Sequence, residues 1–409
     1  MPHDAKDHWH EPDSKFRRAG SGTFVRPPRP YDVFMEEQGI PIFRDIGISK
    51  VQNLPLKPWA RMGGRGTFIQ LFGTEGLWGC YLVEVPGAGA LNVEKHMYEE
   101  NILVIEGRGS TEVWHEGEAP VTFEWQAGSM FAIPMNACHR IVNASSSPAL
   151  LLVGTTAPNV MNLFNNPEFI FDNPFRFQDR FDARRTYFDE VEDVTPDPIM
   201  GRAMRKTNFI PDIINCDLPL DNRRSPGYRR IEPYFAQSTF YSFIGQHETG
   251  RYSKAHAHTS SAVLICLKGK GYTYTWPSHL GTQPFATGKG DQVRRVDYEP
   301  VGLVSAAPMS GDWFHQHFGV SKEPLRLAAW FGPTVTFGGV IHTTTPPGTV
   351  ERDTDAASLE DGGTAIPYNQ EDPFFRREFE AALALEGVQT RMEQSLYEQS
   401  EARTEFMNG

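Results

Sequence analysis

The sequence lacks the features that mark secreted, membrane-spanning or zinc-finger proteins. It has only four cysteines, Cys80, Cys138, Cys216 and Cys266, without the close spacing of a disulfide framework or a zinc-binding pair. No run approaches the roughly 18 apolar residues of a membrane span, and residues 1–20 have no apolar signal-peptide core. We therefore predict a reduced cytoplasmic protein that makes no membrane contact.

Long basic runs are also missing. The 409 residues include 39 Lys and Arg against 51 Asp and Glu, a formal net charge of -12. No basic run is interleaved with aromatic residues, so the sequence predicts no nucleic-acid partner. The length suffices for two domains, each with its own core.

Histidine, in contrast, forms two closely spaced pairs in the second half of the chain. His256 and His258 are separated by one residue, and His315 and His317 repeat that spacing. Alternate residues of a strand point to the same face of a sheet, so each pair can direct both imidazoles to one place. A lone histidine is more often structural, but four at paired spacing predict a divalent-metal site.

Short apolar runs between glycine and proline turns indicate antiparallel strands through most of the chain. One such run follows His258 and leads to Tyr272, Tyr274 and Trp276. Their period of two places the three aromatic side chains on one face. We expect them to line the substrate site, with core packing as the alternative.

The first histidine pair resembles a motif of the cupin family. In that motif a glycine precedes His-x-His by five residues, and a glutamate and a second glycine follow. Gly250, His256, His258 and Gly269 fit the pattern, but the glutamate position holds Ala262. The resemblance implies a β-barrel with a metal site.

The second cupin motif, a glycine and a proline followed by a histidine, is also present downstream. Gly302 and Pro308 fit it, and an insertion moves the ligand histidine to His315. The resemblance leaves His317 as an alternative ligand, a fourth ligand or a catalytic acid/base group.

A second copy of both motifs lies upstream, as expected of an internal repeat. Glu94, His96 and Glu100 follow the first motif, with Glu94 where the first histidine is expected, and His139 and Asn143 follow the second. The chain is therefore similar to bicupins. This implies an all-β fold of two antiparallel β-barrels, each a double-stranded β-helix, with short flanking helices.

These patterns divide the chain into five predicted regions. They are an N-terminal arm and lead-in (1–59), a first barrel (60–157), an aromatic-rich connecting segment (158–234), a second barrel (235–345) and a C-terminal segment (346–409). The connecting segment is expected to wrap a barrel or to seal a subunit contact in a homo-oligomer. Asp372 and Pro373 predict a helix that continues to about Gln399.

The resemblance implies different metal preferences for the two barrels. Downstream, His256, His258 and His315 would form a neutral set with open positions, which suits Fe(II), with Mn or Zn as alternatives. This set is similar to that of gentisate dioxygenase-type cupins. Upstream, Glu94, His96, Glu100 and His139 would form a more anionic set for Mn, Fe or Zn. A structural barrel without metal is the alternative there.

Three functional hypotheses follow from the resemblance. The first is an Fe(II) dioxygenase, an oxidoreductase acting on a small aromatic or organic acid. The second is a redox-neutral decarboxylase, lyase or isomerase using Mn or Zn, and the third is a non-enzymatic ligand-binding bicupin. Oxalate decarboxylase itself is disfavoured, because that family is marked by full sites of three His and one Glu.

Overall fold

The computed structural model describes residues 27–196, 201–258, 261–306, 308, 313–333 and 356–398. The helices are α1 (Pro30–Glu37), α2 (Ala157–Phe164), α3 (Pro167–Phe171) and α4 (Pro373–Leu385). The first twelve strands are β1 (Ile42–Asp45), β2 (Gly47–Ile48), β3 (Lys57–Trp59), β4 (Gly64–Leu71), β5 (Gly79–Val85), β6 (Gly89–Ala90), β7 (Glu100–Glu106), β8 (Arg108–Trp114), β9 (Val121–Gln126), β10 (Met130–Ile133), β11 (Cys138–Asn143) and β12 (Ala149–Thr155). The others are β13 (Thr195–Pro196), β14 (Ala203–Lys206), β15 (Phe209–Ile210), β16 (Arg229–Tyr234), β17 (Phe240–His247), β18 (Val263–Lys268), β19 (Gly271–Pro277), β20 (Arg294–Tyr298), β21 (Leu303–Ser305), β22 (Trp313–Gly319) and β23 (Leu325–Pro333).

The strands form two domains, each with a large and a small sheet. In the first domain the large sheet has the order β1-β4-β5-β12-β7-β10-β15, with β3 on β4, and the small sheet has the order β6-β11-β8-β9. In the second, the orders are β13-β14-β16-β17-β23-β18-β21-β2 and β20-β19-β22. The central path β5-β12-β7-β10 therefore recurs as β17-β23-β18-β21. The predicted all-β fold with an internal repeat is confirmed, although the described strands of a domain do not join into one continuous barrel.

Each domain includes strands from outside its predicted limits. β2, in the lead-in, pairs with β21 of the second domain, and β15, in the connecting segment, pairs with β10 of the first. The predicted boundaries at residues 59 and 234 therefore cut across both large sheets. Residues 1–26 of the predicted arm and residues 334–345 of the predicted second barrel lie outside the described part of the chain.

The two large sheets pack against each other through one shared apolar core. Buried side chains of both domains belong to it, among them Leu152 from β12 and Trp330 from β23. A hydrogen bond of 2.9 Å from Nε1 of Trp78 to Oγ of Ser261 also joins the domains. At the contact, Gly154 leaves room for the rings of Trp330 and Phe240.

Substitution of Gly154 with valine should therefore destabilise the protein. A Cβ atom at this position would lie 2.7 Å from Trp330 and 2.8 Å from Phe240, and overpacking of this kind costs about 1–3 kcal/mol. We expect a lower midpoint of urea unfolding for Gly154→Val. Adding Trp330→Leu should restore part of the loss, and an unchanged midpoint in the single variant would contradict this account of the interface.

Helix α4 begins as predicted but is shorter. The Asp372 side chain accepts a hydrogen bond of 3.0 Å from the Phe374 backbone nitrogen, as an N-cap residue does. The predicted extension to about Gln399 is wrong, because the helix ends at Leu385 and Gly387 adopts a φ of 66°. No helix in the described part of the chain is long and apolar enough to cross a membrane.

Residues 356–372, which precede α4, bind the segment that leads to the first histidine pair. We call them the C-terminal strap. The Ile366 nitrogen donates to the carbonyl of Ala255 at 2.7 Å, and Oγ1 of Thr364 donates to the carbonyl of Ala257 at 2.5 Å. Oη of Tyr368 donates to the carbonyl of Tyr252 at 2.7 Å. The strap thus holds the backbone on both sides of His256.

Candidate metal centres

A backbone bridge joins the two downstream motifs. His256 and His315 exchange both backbone hydrogen bonds, at 3.1 and 3.0 Å. Ring nitrogens of His256, His258 and His315 consequently lie within 4.8 Å of one another. The structure thus brings together the three residues predicted as downstream ligands.

The buried imidazoles of this group are neutral. Nδ1 of His256 lies 3.3 Å from the Lys254 carbonyl oxygen, and a proton on Nδ1 leaves the lone pair of Nε2 directed to the cavity. Burial lowers the pKa of His256 well below its ordinary value, and the positive charge of Arg224 lowers it further. Burial also lowers the pKa of His315, and interaction with His258 and His317 lowers it further. Neutral imidazole is the form that binds a metal.

His317 lies beside this group without belonging to it. Its Nδ1 is 2.8 Å from Oγ1 of Thr273, and its ring centre is 5.4 Å from that of His315. The buried ring of His247, which the sequence analysis did not single out, lies 6.3 Å from the ring of His317. Burial, and then the charge of Arg224, lowers the pKa of His247 to about 3. The cavity therefore has two neutral imidazoles besides the three candidate ligands.

The rest of this cavity is narrow and apolar. Its volume is about 20 Å³, which is room for about one water molecule. Ala262, Leu264, Leu327 and Phe331 are among its lining residues. No carboxylate occurs among the described residues that line it.

The upstream motifs meet through the same kind of bridge. Glu94 and His139 exchange backbone hydrogen bonds of 3.0 and 2.9 Å. Ligand atoms of Glu94, His96 and His139 lie within 4.8 Å of one another, and Oε2 of Glu100 lies 3.4 Å from Nε2 of His96. All four predicted upstream residues therefore converge.

Two side chains engage the upstream carboxylates. Nη2 of Arg61 lies 2.7 Å from Oε1 of Glu94, and its guanidinium stacks 4.3 Å above the ring of Phe171. Burial raises the pKa of Glu94, although Arg61 opposes this effect. Oη of Tyr81 donates to Oε1 of Glu100 at 2.7 Å. Burial raises the pKa of Glu100, but the charge and hydrogen bonds of its neighbours outweigh burial and lower the pKa overall.

Strand pairing relates the two centres position by position. The corresponding residues are Glu94 and His256, His96 and His258, His139 and His315, Glu100 and Ala262, and Tyr81 and Phe243. The hydrogen-bonded pair of Glu100 and Tyr81 thus becomes Ala262 and Phe243 downstream. The acid and its phenol partner are replaced together, which gives the downstream cavity its apolar wall.

The prediction that Tyr272, Tyr274 and Trp276 line the substrate site is wrong. In the register of β19 and β22, Thr273 and Thr275 pair with His317 and His315 and share their face. The three aromatic side chains point to the opposite face, where the ring of Trp276 lies 5.0 Å from that of Phe375 in α4. Alternation correctly placed them together but could not indicate which face is covered by a helix.

Two residues of the connecting segment also line the downstream cavity. They are Arg224, whose Nη1 contacts Nε2 of His256, and Tyr228, whose ring centre is 4.9 Å from that of His247. Neither residue was predicted, because both precede the first histidine by about 30 residues and no local spacing connects them to it.

Comparison with known proteins identifies the family of the upstream site. Residues 81–154 match the family model of the cupin domain. The first domain is a cupin domain. Because the second domain repeats its topology, the prediction of a bicupin is confirmed. No curated protein matches the chain.

Among solved structures, the bicupin overlaps with oxalate decarboxylases. The enzyme of Lactobacillus farciminis, in a formate complex, has 12% identity and a TM-score of 0.43, over 70% of this chain and 86% of that chain. The enzyme of Bacillus subtilis has 15% identity and a TM-score of 0.43, over 77% and 86%. These TM-scores and sequence identities are too low to support any inference about reaction or substrate. The resemblance to gentisate dioxygenases stays a prediction.

Proposed function

We propose that this bicupin is a metal-dependent enzyme whose working centre is the downstream group of His256, His258 and His315. The observation that carries the proposal is the convergence of ring nitrogens of three imidazoles within 4.8 Å of one another. Such a donor set fits Zn, Fe or Mn and leaves coordination positions open. A divalent ion bound there would polarise a small organic substrate as a Lewis acid.

The groups around the ligands favour a redox-neutral reaction. Decarboxylases, lyases and isomerases move protons during turnover and need a positioned base or acid. His317 fits this role by position, since its hydrogen bond to Thr273 fixes the ring beside the candidate ligands. Burial lowers its pKa and keeps the ring neutral, which leaves one ring nitrogen unprotonated. We propose His317 as the catalytic base, with Mn or Zn as the metal.

A dioxygenase is the second candidate, and Ala262 favours it. With no glutamate at this position, the protein offers the metal a neutral ligand set, and a bound substrate anion and dioxygen can share the open positions of Fe(II). This alternative requires redox chemistry that Zn cannot perform.

The upstream centre is proposed as a second metal site that does not carry turnover. Glu94 is already paired with Arg61, and Phe171 covers that guanidinium. The carboxylates of Glu94 and Glu100 in the upstream centre would balance the charge of a divalent ion. Such a site needs no substrate anion.

Oxygen dependence separates the two candidate reactions. The chain would be purified without oxygen, loaded separately with Mn, Fe or Zn, and screened against small organic acids with and without oxygen. We expect turnover under anoxia with Mn or Zn. Turnover that requires both Fe(II) and oxygen would instead establish the dioxygenase.

The same assay tests His317 as the base. We expect His317→Gln to lower kcat by about 10²–10⁴-fold, as the loss of a general base does, while metal analysis shows unchanged metal content. Wild-type kcat in this variant would exclude the proposed role.

A further inference from the structure

The loop of residues 221–228, which we call the connecting loop, is braced by its own polar side chains. Nε and Nη2 of Arg223 donate to the two carboxylate oxygens of Asp221, both at 2.8 Å. The Gly227 nitrogen donates to Oδ1 of Asn222 at 2.9 Å, and the Asp221 nitrogen donates to the Tyr228 carbonyl at 2.7 Å. These bonds fix the part of the loop that carries Arg224.

From this loop, Arg224 extends into the downstream cavity. Its Nη1 donates to Nε2 of His256, so a positive charge lies directly beside a candidate ligand. Arg224 is the charged residue among the described residues that line the cavity. The positive potential of the cavity therefore comes from this side chain.

The contact with His256 also indicates what Arg224 does when the centre holds a metal. One nitrogen lone pair cannot both accept a hydrogen bond and bind a metal ion. Binding of an ion by Nε2 of His256 thus removes the acceptor of Nη1 of Arg224. The planar guanidinium has five N–H donors, and its geometry matches a carboxylate that accepts two parallel hydrogen bonds.

We propose that Arg224 is a specificity-determining residue that binds a carboxylate group of the substrate beside the metal. The cavity volume of about 20 Å³ is room for about one water molecule, so only a small carboxylate can enter, and it must displace the Arg224 guanidinium from His256. The apolar wall around Ala262 and Phe243 fits the non-polar side of such a group. This inference rests on the proposed function, in that the anion is taken to be the substrate of the downstream centre, and it names small carboxylates as the substrate class.

Acetate binding tests the role of Arg224 without turnover. The full chain would be loaded with Co(II), and acetate would be titrated while the visible absorption of the metal is recorded. We expect Arg224→Gln to weaken acetate binding by about ten- to a hundredfold, the range for loss of a hydrogen bond to a charged group. Arg224→Lys should retain part of the affinity. Arg229→Gln, which changes an exposed arginine next to the loop, should bind acetate as the wild type does.

A second variant tests the charge of the cavity directly. Ala262→Glu places a carboxylate in the cavity, so it should retain Co(II) and lose acetate binding. Equal affinity of the wild type for acetate and for neutral acetamide would overturn the proposal. So would unchanged acetate affinity in Arg224→Gln at unchanged metal content.

The proposed function and the proposed role of Arg224 can be contradicted separately. Arg224-dependent acetate binding in a chain that converts no organic acid would preserve the anion site and contradict the proposed function. Turnover of a carboxylate with acetate affinity independent of Arg224 would contradict this inference alone.

Discussion

Replacement of His256 with alanine is expected to remove one bound metal ion per chain and to abolish turnover. His256 is buried, exchanges backbone hydrogen bonds with His315, and directs Nε2 into the downstream cavity. Its loss leaves two imidazoles where three converge, and a metal site depends on its full ligand set. Metal analysis of the purified variant and steady-state rates would measure the two effects.

Two variants serve as controls for this result. His279→Ala removes an exposed histidine and should change neither metal content nor rate. Glu94→Ala should leave a measurable fraction of the activity, because we assign Glu94 to the upstream centre. If Glu94→Ala abolished turnover while His256→Ala retained it, the working centre would lie in the first domain.

The second large effect concerns the pH dependence of docking of the C-terminal strap. Glu371, at its end, is buried and accepts hydrogen bonds from Oη of Tyr252 and, at 2.9 Å, from Nε2 of Gln316. Burial raises the pKa of this carboxyl group from 4.5 to about 7. The docked strap therefore binds a proton more tightly than the opened strap does.

The sign of the effect follows from this difference in proton binding. Docking is most favourable below about pH 4.5 and weakens as the pH rises to about 7, by roughly 3 kcal/mol in total. Glu371→Gln removes the titrating group, so its docking free energy should vary less with pH. Hydrogen exchange of residues 365–385 at pH 5 and pH 8 would measure the opening free energy of the wild type and the variant.

A matched carboxylate provides the control for this measurement. Glu398→Gln changes an exposed glutamate of the same C-terminal region and should keep the wild-type difference between the two pH values. If Glu371→Gln also kept that difference, Glu371 would not be the group that titrates.

Motif spacing was sufficient to predict which side chains converge in the two centres. The structure brings together His256, His258 and His315 because an isolated backbone bridge pairs His256 with His315 of β22, so the two motifs meet. The same reasoning placed Glu94 in a histidine position, and the structure puts it opposite His139, as His256 lies opposite His315.

Contacts between distant segments could not be predicted in this way. Arg224 reaches His256 through the fold of the connecting loop, and β2 reaches β21 across about 255 residues. Neither segment has a periodic sequence pattern that would identify the distant segment that it contacts. The aromatic residues of β19 show a related limit, because a period of two assigns a shared face but does not say what covers it.

The C-terminal strap has a consequence for the order of biosynthesis. The ribosome makes His256 and His258 long before residues 356–372, whose bonds hold the backbone around His256. The downstream centre consequently cannot reach its final geometry until the strap has been made, whereas the upstream ligands Glu94, His96, Glu100 and His139 all precede the strap. If both proposed centres bind a metal, a chain truncated before the strap should retain the upstream ion and lose the downstream one.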